Sequence, residues 1–266
     1  ALTAQNRLLD AIQAAREILE PLGVRLPLKP GQAEVDEALR EVDQALQGRS
    51  FASLLAIPQA PAGAAHHGVL RILDSIHATT AMTLQSLGPI VAAKMVQLTI
   101  MHGRTEASIS GYVYLGIQLC GQGRIEEGYQ LAQLARRACA DQARSAQVAE
   151  LSSNGYYFIF HWKEPLRALV EDIKTGYQAA WDAGQVALAA NCLINTTVAP
   201  FIAGSELKAL AEGMREVVTI VEQLKQGPYA LWLRLYRQCA LNLIASSVEP
   251  TLLRGEAYDE ELSMPV

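Results

Sequence analysis

Gly-Tyr-Gln-Leu-Ala at residues 128–132 recurs as Gly-Tyr-Gln-Ala-Ala at residues 176–180, 48 positions further along the chain. A second Gly-Tyr pair precedes each copy, at residues 111–112 and 155–156, and these two pairs are 44 positions apart. A period of about 20–50 residues is typical of solenoids, in which each helical hairpin packs on its neighbours. The sequence therefore predicts a repeat array, which is in the first place a binding surface.

Glycines and prolines divide the chain after residue 64 into segments of helical length. No alternating strand pattern competes with the helical interpretation. We predict an all-α fold, specifically a right-handed α-α superhelix of stacked helical hairpins similar to a tetratricopeptide solenoid. The predicted helices span residues 65–84, 88–103, 105–121, 124–140, 143–161, 165–183, 185–203, 205–226 and 229–246.

The predicted organisation has four parts. Residues 1–57 form one or more irregular helical hairpins, and residues 58–64, which are rich in proline, form a loop or hinge. Residues 65–247 hold the repeat array, and residues 248–266 form an acidic connector. Because the chain begins without a methionine or a leader, we expect it to be a piece of a longer protein.

Charge is sparse in this chain. Of its 266 residues 18% are charged and 50% are hydrophobic, against about 25% charged in an average soluble protein, so we expect part of the surface to be covered. A net charge of −5 and the absence of long basic runs argue against a nucleic-acid ligand. The uncharged stretch 183–205 carries several amide and hydroxyl side chains that lipid disfavours, so it predicts a buried helix and no membrane association.

The four cysteines, Cys120, Cys139, Cys192 and Cys239, stand far apart and form no Cys-x-x-Cys pair. Isolated cysteines without a secretory leader are typical of reduced thiols in a cytoplasmic protein. Glycines recur within the predicted helices, for example Gly111, Gly128 and Gly176. Since a glycine inside a helix costs about 1 kcal/mol relative to alanine, this recurrence predicts close backbone approach between partner helices.

Four strings carry a resemblance to a known family: Lys-Met-Val-Gln-Leu-Thr at 94–99, Ser-Gly-Tyr-Val-Tyr-Leu-Gly at 110–116, Gly-Tyr-Gln at 128–130 and His-Trp-Lys-Glu at 161–164. With them the chain resembles, from about Leu8 to Glu261, the helical repeat region of very large bacterial signalling proteins. Those proteins join a serine/threonine-kinase-like domain, a predicted signal-transduction ATPase, a tetratricopeptide-like array and a sensor histidine kinase. The loop from Gln59 to His67 departs from that family in being poorer in charge.

The resemblance implies a regulatory role for this chain. In related ATPase switches the helical array senses an inducer or a partner and controls the ATPase. The implied partners are the protein's own ATPase or kinase domains or another signalling protein, and the effector is a protein or a small molecule. Such control requires that the effector bind one arrangement of the parent protein better than the other.

Two groups of residues are candidates for contact with a ligand or partner. His161, Trp162 and Lys163 stand at a helix end beside Pro165, where they either face a ligand or cap the helix with a buried indole. Asn191 and Asn195 share a helix face, where they either bind a ligand or peptide backbone or satisfy each other and neighbouring carbonyls. A small-molecule pocket would be lined by Tyr157, His161, Asn191 and Asn195.

Chemistry has little support in the sequence. His66, His67 and His77 have no partner at ligand spacing, so we expect no metal, and nothing indicates another cofactor. The chain has no phosphate-binding glycine loop, no Gly-x-Ser-x-Gly elbow and no His-Glu-x-x-His pair, so we expect no catalysis by this chain itself.

Three functions remain open at this point. The first is a protein-interaction and sensor module within a multidomain ATPase or kinase protein. The second is a receptor for a small molecule held between repeats. The third is a scaffold or oligomerisation domain without a ligand, which would carry a broad apolar patch.

Overall fold

A computed structural model describes residues 7–61, 63–84, 86–140, 146–244 and 249–263. Among these residues regular structure is helical, and the only β-type pairings there are two isolated bridges, Gln59 with Arg104 and Arg254 with Asp259. The prediction of an all-α protein is confirmed. The chain forms two compact units, Ala1–Asp141 and Gln142–Val266, so their boundary lies inside the stretch 65–247 that we predicted as one array.

The first unit contains six helices among its described residues. They agree with the predicted spans after residue 64 to within two residues at each end. The helices are α1 (Leu8–Leu19), α2 (Gln32–Leu46), α3 (Ala65–Thr83), α4 (Leu87–His102), α5 (Ala107–Gly121) and α6 (Ile125–Cys139), with 3₁₀ turns at Glu20–Leu22 and Phe51–Ala56.

These helices pack in two rows. α3 packs on α4 and α5, α4 packs on α5, and α5 packs on α6. α1 packs on α3 and α2 packs on α4, so α1, α3 and α5 form one row; α2, α4 and α6, of which α4 and α6 pack against that row and α2 packs on α4, make up the other. Because α4 and α5 have neighbours on several sides, most positions around each helix are buried, whereas α1 and α6 bury one stripe.

The described part of the second unit begins with an irregular helical segment where we predicted one helix over 143–161; residues 143–145 of that prediction lie outside the described residues. Helix α7 (Ala146–Glu150) continues into a π-helical turn (Leu151–Gly155), then into α8 (Tyr156–Phe158) and a 3₁₀ turn (Phe160–Trp162). The prediction of a continuous α-helix over these residues was wrong, since the π-helical turn inserts one extra residue into the ladder of hydrogen bonds. The remaining helices are α9 (Leu166–Asp182), α10 (Val186–Ile202), α11 (Leu207–Gln223), α12 (Gly227–Ile244) and α13 (Glu260–Ser263).

The second unit repeats the two-row arrangement. α9 packs on α7 and most extensively on α10, while α11 packs on α12 and α10. α10 also packs on α12 and on the π-helical turn, so the segment 146–162, α10 and α12 form one row; α9 and α11, which both pack against this row, make up the other. In each unit taken by itself, we call one row the odd row. It consists of α1, α3 and α5 in the first unit, and of the segment 146–162, α10 and α12 in the second.

The copied glycines mark close helix contacts, as predicted. A Cβ added to Gly128 on α6 would lie 2.5 Å from Cys120 Sγ and 2.6 Å from the Gly116 carbonyl oxygen, both on α5. A Cβ on Gly176 of α9 would lie 2.5 Å from Ser152 Cβ and 2.9 Å from Cys192 Sγ. Each position therefore excludes any side chain unless the helices move apart.

The predicted hinge at 58–64 lies within the first unit. Its first residues are bonded to the turn between α4 and α5: Arg104 donates from Nε to the Ile57 carbonyl at 2.6 Å and from its main-chain nitrogen to the Pro58 carbonyl at 2.9 Å. The Ala60 nitrogen donates back to the Arg104 carbonyl at 2.9 Å. Residues 57–60 thus form part of the packed structure of the first unit.

Candidate functional site

The two predicted asparagines meet the π-helical turn. Asn191 donates from Nδ2 to Ser153 Oγ at 2.6 Å, and Asn195 donates from Nδ2 to the Ser153 carbonyl at 3.1 Å. Asn195 is only 2% exposed, and its buried Oδ1 has no hydrogen-bond partner. We call Ser153, Asn191 and Asn195 the π-turn seam. Of the two roles open to the asparagines in the sequence, the structure shows bonding to a neighbouring carbonyl and hydroxyl.

Further polar groups surround the π-turn seam. Asn154 donates to Glu150 Oε1 at 2.9 Å, and the Cys192 thiol points at the Ala149 carbonyl at 3.5 Å. Burial raises the pKa of Cys192 to about 12, and the charge of Glu150 acts in the same direction. This thiol is therefore protonated and unreactive at neutral pH.

Tyr157 lies one helical turn beyond Ser153 and joins a group of aromatic side chains. Burial raises the pKa of Tyr157, and the neighbouring Tyr236 of α12 acts in the same direction. The Tyr236 ring meets Phe201 of α10 edge to face at 5.9 Å and Trp232 at 5.6 Å. These four rings are partly buried against the core of the unit, and we call Tyr157, Phe201, Trp232 and Tyr236 the aromatic face.

His161, Trp162 and Lys163 lie at the exposed end of the same segment. Burial lowers the pKa of His161, and the neighbouring Tyr157 carbonyl opposes this shift. Trp162 is 55% exposed, and its ring centroid lies 5.1 Å from that of His161. The interpretation of this indole as a buried helix-end cap was therefore wrong.

Sequence reasoning missed the partners that α10 and α12 contribute. Phe201, Trp232 and Tyr236 lie far from Tyr157 in sequence, and only the packing of the odd row brings them together. One sequence signal was available, because Asn-Cys-Leu-Ile-Asn at 191–195 recurs as Gln-Cys-Ala-Leu-Asn at 238–242, 47 positions later. That spacing is close to the 44 and 48 of the glycine repeats and places a second pair of amides on α12.

The first unit has a different polar contact between α3 and α5. Tyr114 donates to Asp74 Oδ1 at 3.4 Å and stacks on His77 with ring centroids 3.5 Å apart. Burial raises the pKa of Asp74 to about 6, against hydrogen bonds from Ser110 and Tyr114 that lower it. Burial lowers the pKa of His77 to about 3, and its buried Nε2 has no hydrogen-bond partner. We call Asp74, His77, Ser110 and Tyr114 the α3–α5 seam.

The other predicted histidines lie at the start of α3. The His66 ring lies 5.2 Å from that of His67 and 5.4 Å from that of His102 at the end of α4. Across the described ranges, no group of three or more His, Cys, Asp or Glu side chains is arranged to hold a metal ion. A search of the same residues finds no helix with the length and apolar character that crossing a membrane requires.

A cleft of about 660 Å³ opens between α1 and α2 in the first unit. Ile90 and Lys94 of α4 line it together with residues of the 20–28 loop and of both helices. Arg16 projects from α1 and donates to the Pro27 carbonyl at 2.5 Å, while its buried Nε has no partner. Lys94 pairs with Glu41 of α2 in the same cleft.

Comparison with known proteins gives no match: no family model, no curated protein and no solved structure matches this chain.

Proposed function

We propose that this chain is a non-catalytic protein-interaction module built as a right-handed superhelix of tetratricopeptide-like hairpins, with the odd row of the second unit as its binding surface. The observation that carries the proposal is the aromatic face. Tyr157, Phe201, Trp232 and Tyr236 come from three helical elements of one row and remain only partly buried. Two-row packing of the hairpins supports the superhelix.

Tyrosine and tryptophan are the side chains most enriched in the energetic centres of protein interfaces. They supply a large contact area and lose little conformational entropy because they have few rotatable bonds. On the aromatic face they are further held by the two edge-to-face contacts that Tyr236 makes with Phe201 and Trp232. A partner therefore meets a surface that is already ordered, which lowers the entropic cost of binding.

The partner follows from the resemblance. We propose that the module serves a cytoplasmic multidomain signalling protein and binds its ATPase or kinase-like domain. In that role it acts as a sensor, because a contact made in one state of the parent protein and not in the other shifts the equilibrium between them. Exposed His161, Trp162 and Lys163, beside the aromatic face, extend the proposed contact surface.

The test compares two tryptophans. Trp232 belongs to the aromatic face, whereas Trp181 is 46% exposed on α9 in the other row. We expect Trp232→Ala to weaken binding to the ATPase or kinase-like domain encoded with this chain by about 30-fold, the effect of an interface centre, as measured by calorimetry. Trp181→Ala is the matched control and should change the affinity by less than about twofold. The proposal would be contradicted if the two substitutions changed the affinity equally, or if the wild-type chain bound neither the ATPase nor the kinase-like domain.

A second candidate function, a receptor for a small molecule, is favoured by the cleft between α1 and α2. Its volume of about 660 Å³ is in the range of ligand sites in proteins. Its charged side chains fit a small polar effector better than an apolar one. A thermal-shift screen against charged metabolites tests this, because a ligand specific for the folded state raises the melting temperature. The increase should disappear in Arg16→Ala, and an increase that persists there places the ligand elsewhere.

A further inference from the structure

We propose that Gln238 and Asn242 on α12 form a peptide-binding site that recognises main-chain atoms. In this structure residues 250–258 of the same chain occupy the site. In trans the site accepts a segment of another polypeptide with the same chemistry: glycine, an acidic residue, a small residue and an aromatic residue in succession. We call residues 250–258 the C-terminal loop. This site is separate from the aromatic face and does not depend on the function proposed for it.

Two buried amides hold the C-terminal loop by its main chain. Asn242 donates from Nδ2 to the carbonyls of Pro250 at 3.1 Å and Leu252 at 2.7 Å. Gln238 accepts at Oε1 from the main-chain nitrogens of Ala257 at 3.0 Å and Tyr258 at 3.3 Å. Because these bonds ignore side-chain identity, they select an extended or turning main chain in one register.

The orientation of the Gln238 amide is fixed by its other contacts. Its Nε2 donates to Asn242 Oδ1 at 2.8 Å and to the Arg254 carbonyl at 3.3 Å. Gln238 is 3% exposed and Asn242 is 4% exposed, so turning either amide would leave buried polar atoms without partners. The site is therefore rigid before any side chain of the loop is considered.

Four positions of the loop add selectivity. A Cβ on Gly255 would lie against Nε2 and 2.8 Å from Oε1 of Gln238, so a larger residue fits here only if the Gln238 amide shifts away from its hydrogen bonds. Glu256 pairs with Arg237, which also donates to the Ala211 carbonyl at 3.1 Å. Ala257 and Tyr258 are buried against the unit. The succession Gly, Glu, Ala, Tyr thus defines the ligand chemistry.

The other copy of the motif shows the same use of an amide. On α10 the pair Asn191 and Asn195, 47 positions earlier, grips the side-chain oxygen and the main-chain carbonyl of Ser153 in the neighbouring element of the row. There the neighbour is a helical segment, and on α12 it is an irregular loop. The amide pair therefore bonds each helix, α10 and α12, to the main chain of a neighbouring segment. At α12 that segment is short enough to be replaced by a peptide.

The test uses the full chain and a fluorescein-labelled peptide of residues 249–263. A loop tethered in cis competes at an effective concentration of about millimolar, so the wild-type chain should bind the peptide weakly. Gly255→Val in the chain should release the loop and raise the affinity for the peptide at least about tenfold in fluorescence anisotropy. Tyr258→Ser, which removes a buried aromatic contact instead, should do the same.

Two controls and two further measurements complete the experiment. Asn242→Ala added to Gly255→Val should abolish the gain, and a peptide carrying valine in place of Gly255 should not bind. Hydrogen exchange at the amides of Ala257 and Tyr258 reports whether the loop is released, and circular dichroism reports whether the helices remain. The proposal is overturned if a folded variant with a released loop does not bind the peptide, or if neither substitution releases the loop.

Discussion

The α3–α5 seam and the π-turn seam join neighbouring elements of the odd row in the two units, but they do so with different chemistry. The α3–α5 seam contains a carboxyl group and an imidazole, both with pKa values shifted by burial. The π-turn seam joins neutral amides to a hydroxyl and a carbonyl. Neighbouring helical elements can therefore be joined through different polar groups when each group is hydrogen-bonded or kept neutral, and of these two seams only the α3–α5 seam adds a dependence on pH.

The largest expected effect is a dependence of the unfolding free energy on pH, to which Asp74 and His77 contribute with opposite signs. Between about pH 4 and 6 folded Asp74 holds a proton that the unfolded carboxyl releases, so Asp74 adds stability as the pH falls. Unfolded His77 takes up a proton below about pH 6.5 that the folded residue refuses, so His77 removes stability over the same range. The two contributions have opposite signs and largely cancel.

Substitution of either residue should separate the two contributions. Between pH 7.5 and 4.5, Asp74→Asn should lose about 2 kcal/mol of unfolding free energy relative to wild type, and His77→Gln should gain about 2 kcal/mol relative to wild type. Urea unfolding followed by circular dichroism at the two pH values measures both changes. Shifts of the same sign for the two variants would show that these side chains do not titrate as their burial indicates.

The next prediction compares how much the stability of each unit depends on its copied glycine, Gly128 or Gly176. Gly128→Ala and Gly176→Ala should each lower the free energy of unfolding by about 2 kcal/mol, because the added Cβ overpacks a helix contact. Gly213 on α11 is the matched control, since a Cβ there would lie 3.9 Å from Thr197 Cγ2, an ordinary contact. Gly213→Ala should stabilise the chain by up to about 1 kcal/mol through helix propensity. If Gly128→Ala or Gly176→Ala leaves the free energy of unfolding unchanged, the helices separate at little cost.

The smallest effect concerns the neutral seam. Asn195→Ala should cost about 1 kcal/mol, the value of a hydrogen bond to a buried carbonyl, and the cost should be the same at pH 4.5 and 7.5. Asn191 is only partly buried, so Asn191→Ala should cost less. The same urea series measures both variants. A pH-dependent cost would show that the seam is coupled to buried Glu150 and would remove the contrast between the units.

Local signals account for most of the fold that the sequence predicted. Breakers such as Gly88-Pro89 and Gly227-Pro228 act on the backbone where they stand, so helix ends could be placed to within about three residues. The copied glycines also predicted close helix contacts, because a glycine inside a helix needs a packing reason. Asn191 and Asn195 were placed on one face by helical spacing alone.

Contacts across the sequence were not predictable in the same way. The grouping of Tyr157 with Phe201 and Tyr236 depends on how α8, α10 and α12 pack, and no periodicity in one helix determines that. The π-helical turn at Leu151–Gly155 ends in Asn154-Gly155, a pair typical of turns, but this signal does not distinguish a π-helical turn from a loop. Trp162 was expected among buried packing residues because indoles usually are, but its position at the end of the 3₁₀ turn leaves it exposed. The bond between Arg104 and the Ile57 carbonyl likewise fixed a loop whose composition indicated a hinge.

Each copied glycine faces a cysteine, and this gives the two units internal chemical reporters. Burial raises the pKa values of Cys120 and Cys192, so neither thiol is ionised at neutral pH. A thiol reagent reaches Cys120 only when α6 parts from α5, and reaches Cys192 only when α9 parts from α10. The alkylation rates of these two sulfurs, measured by mass spectrometry on the wild-type sequence, therefore report the opening rate of each unit separately.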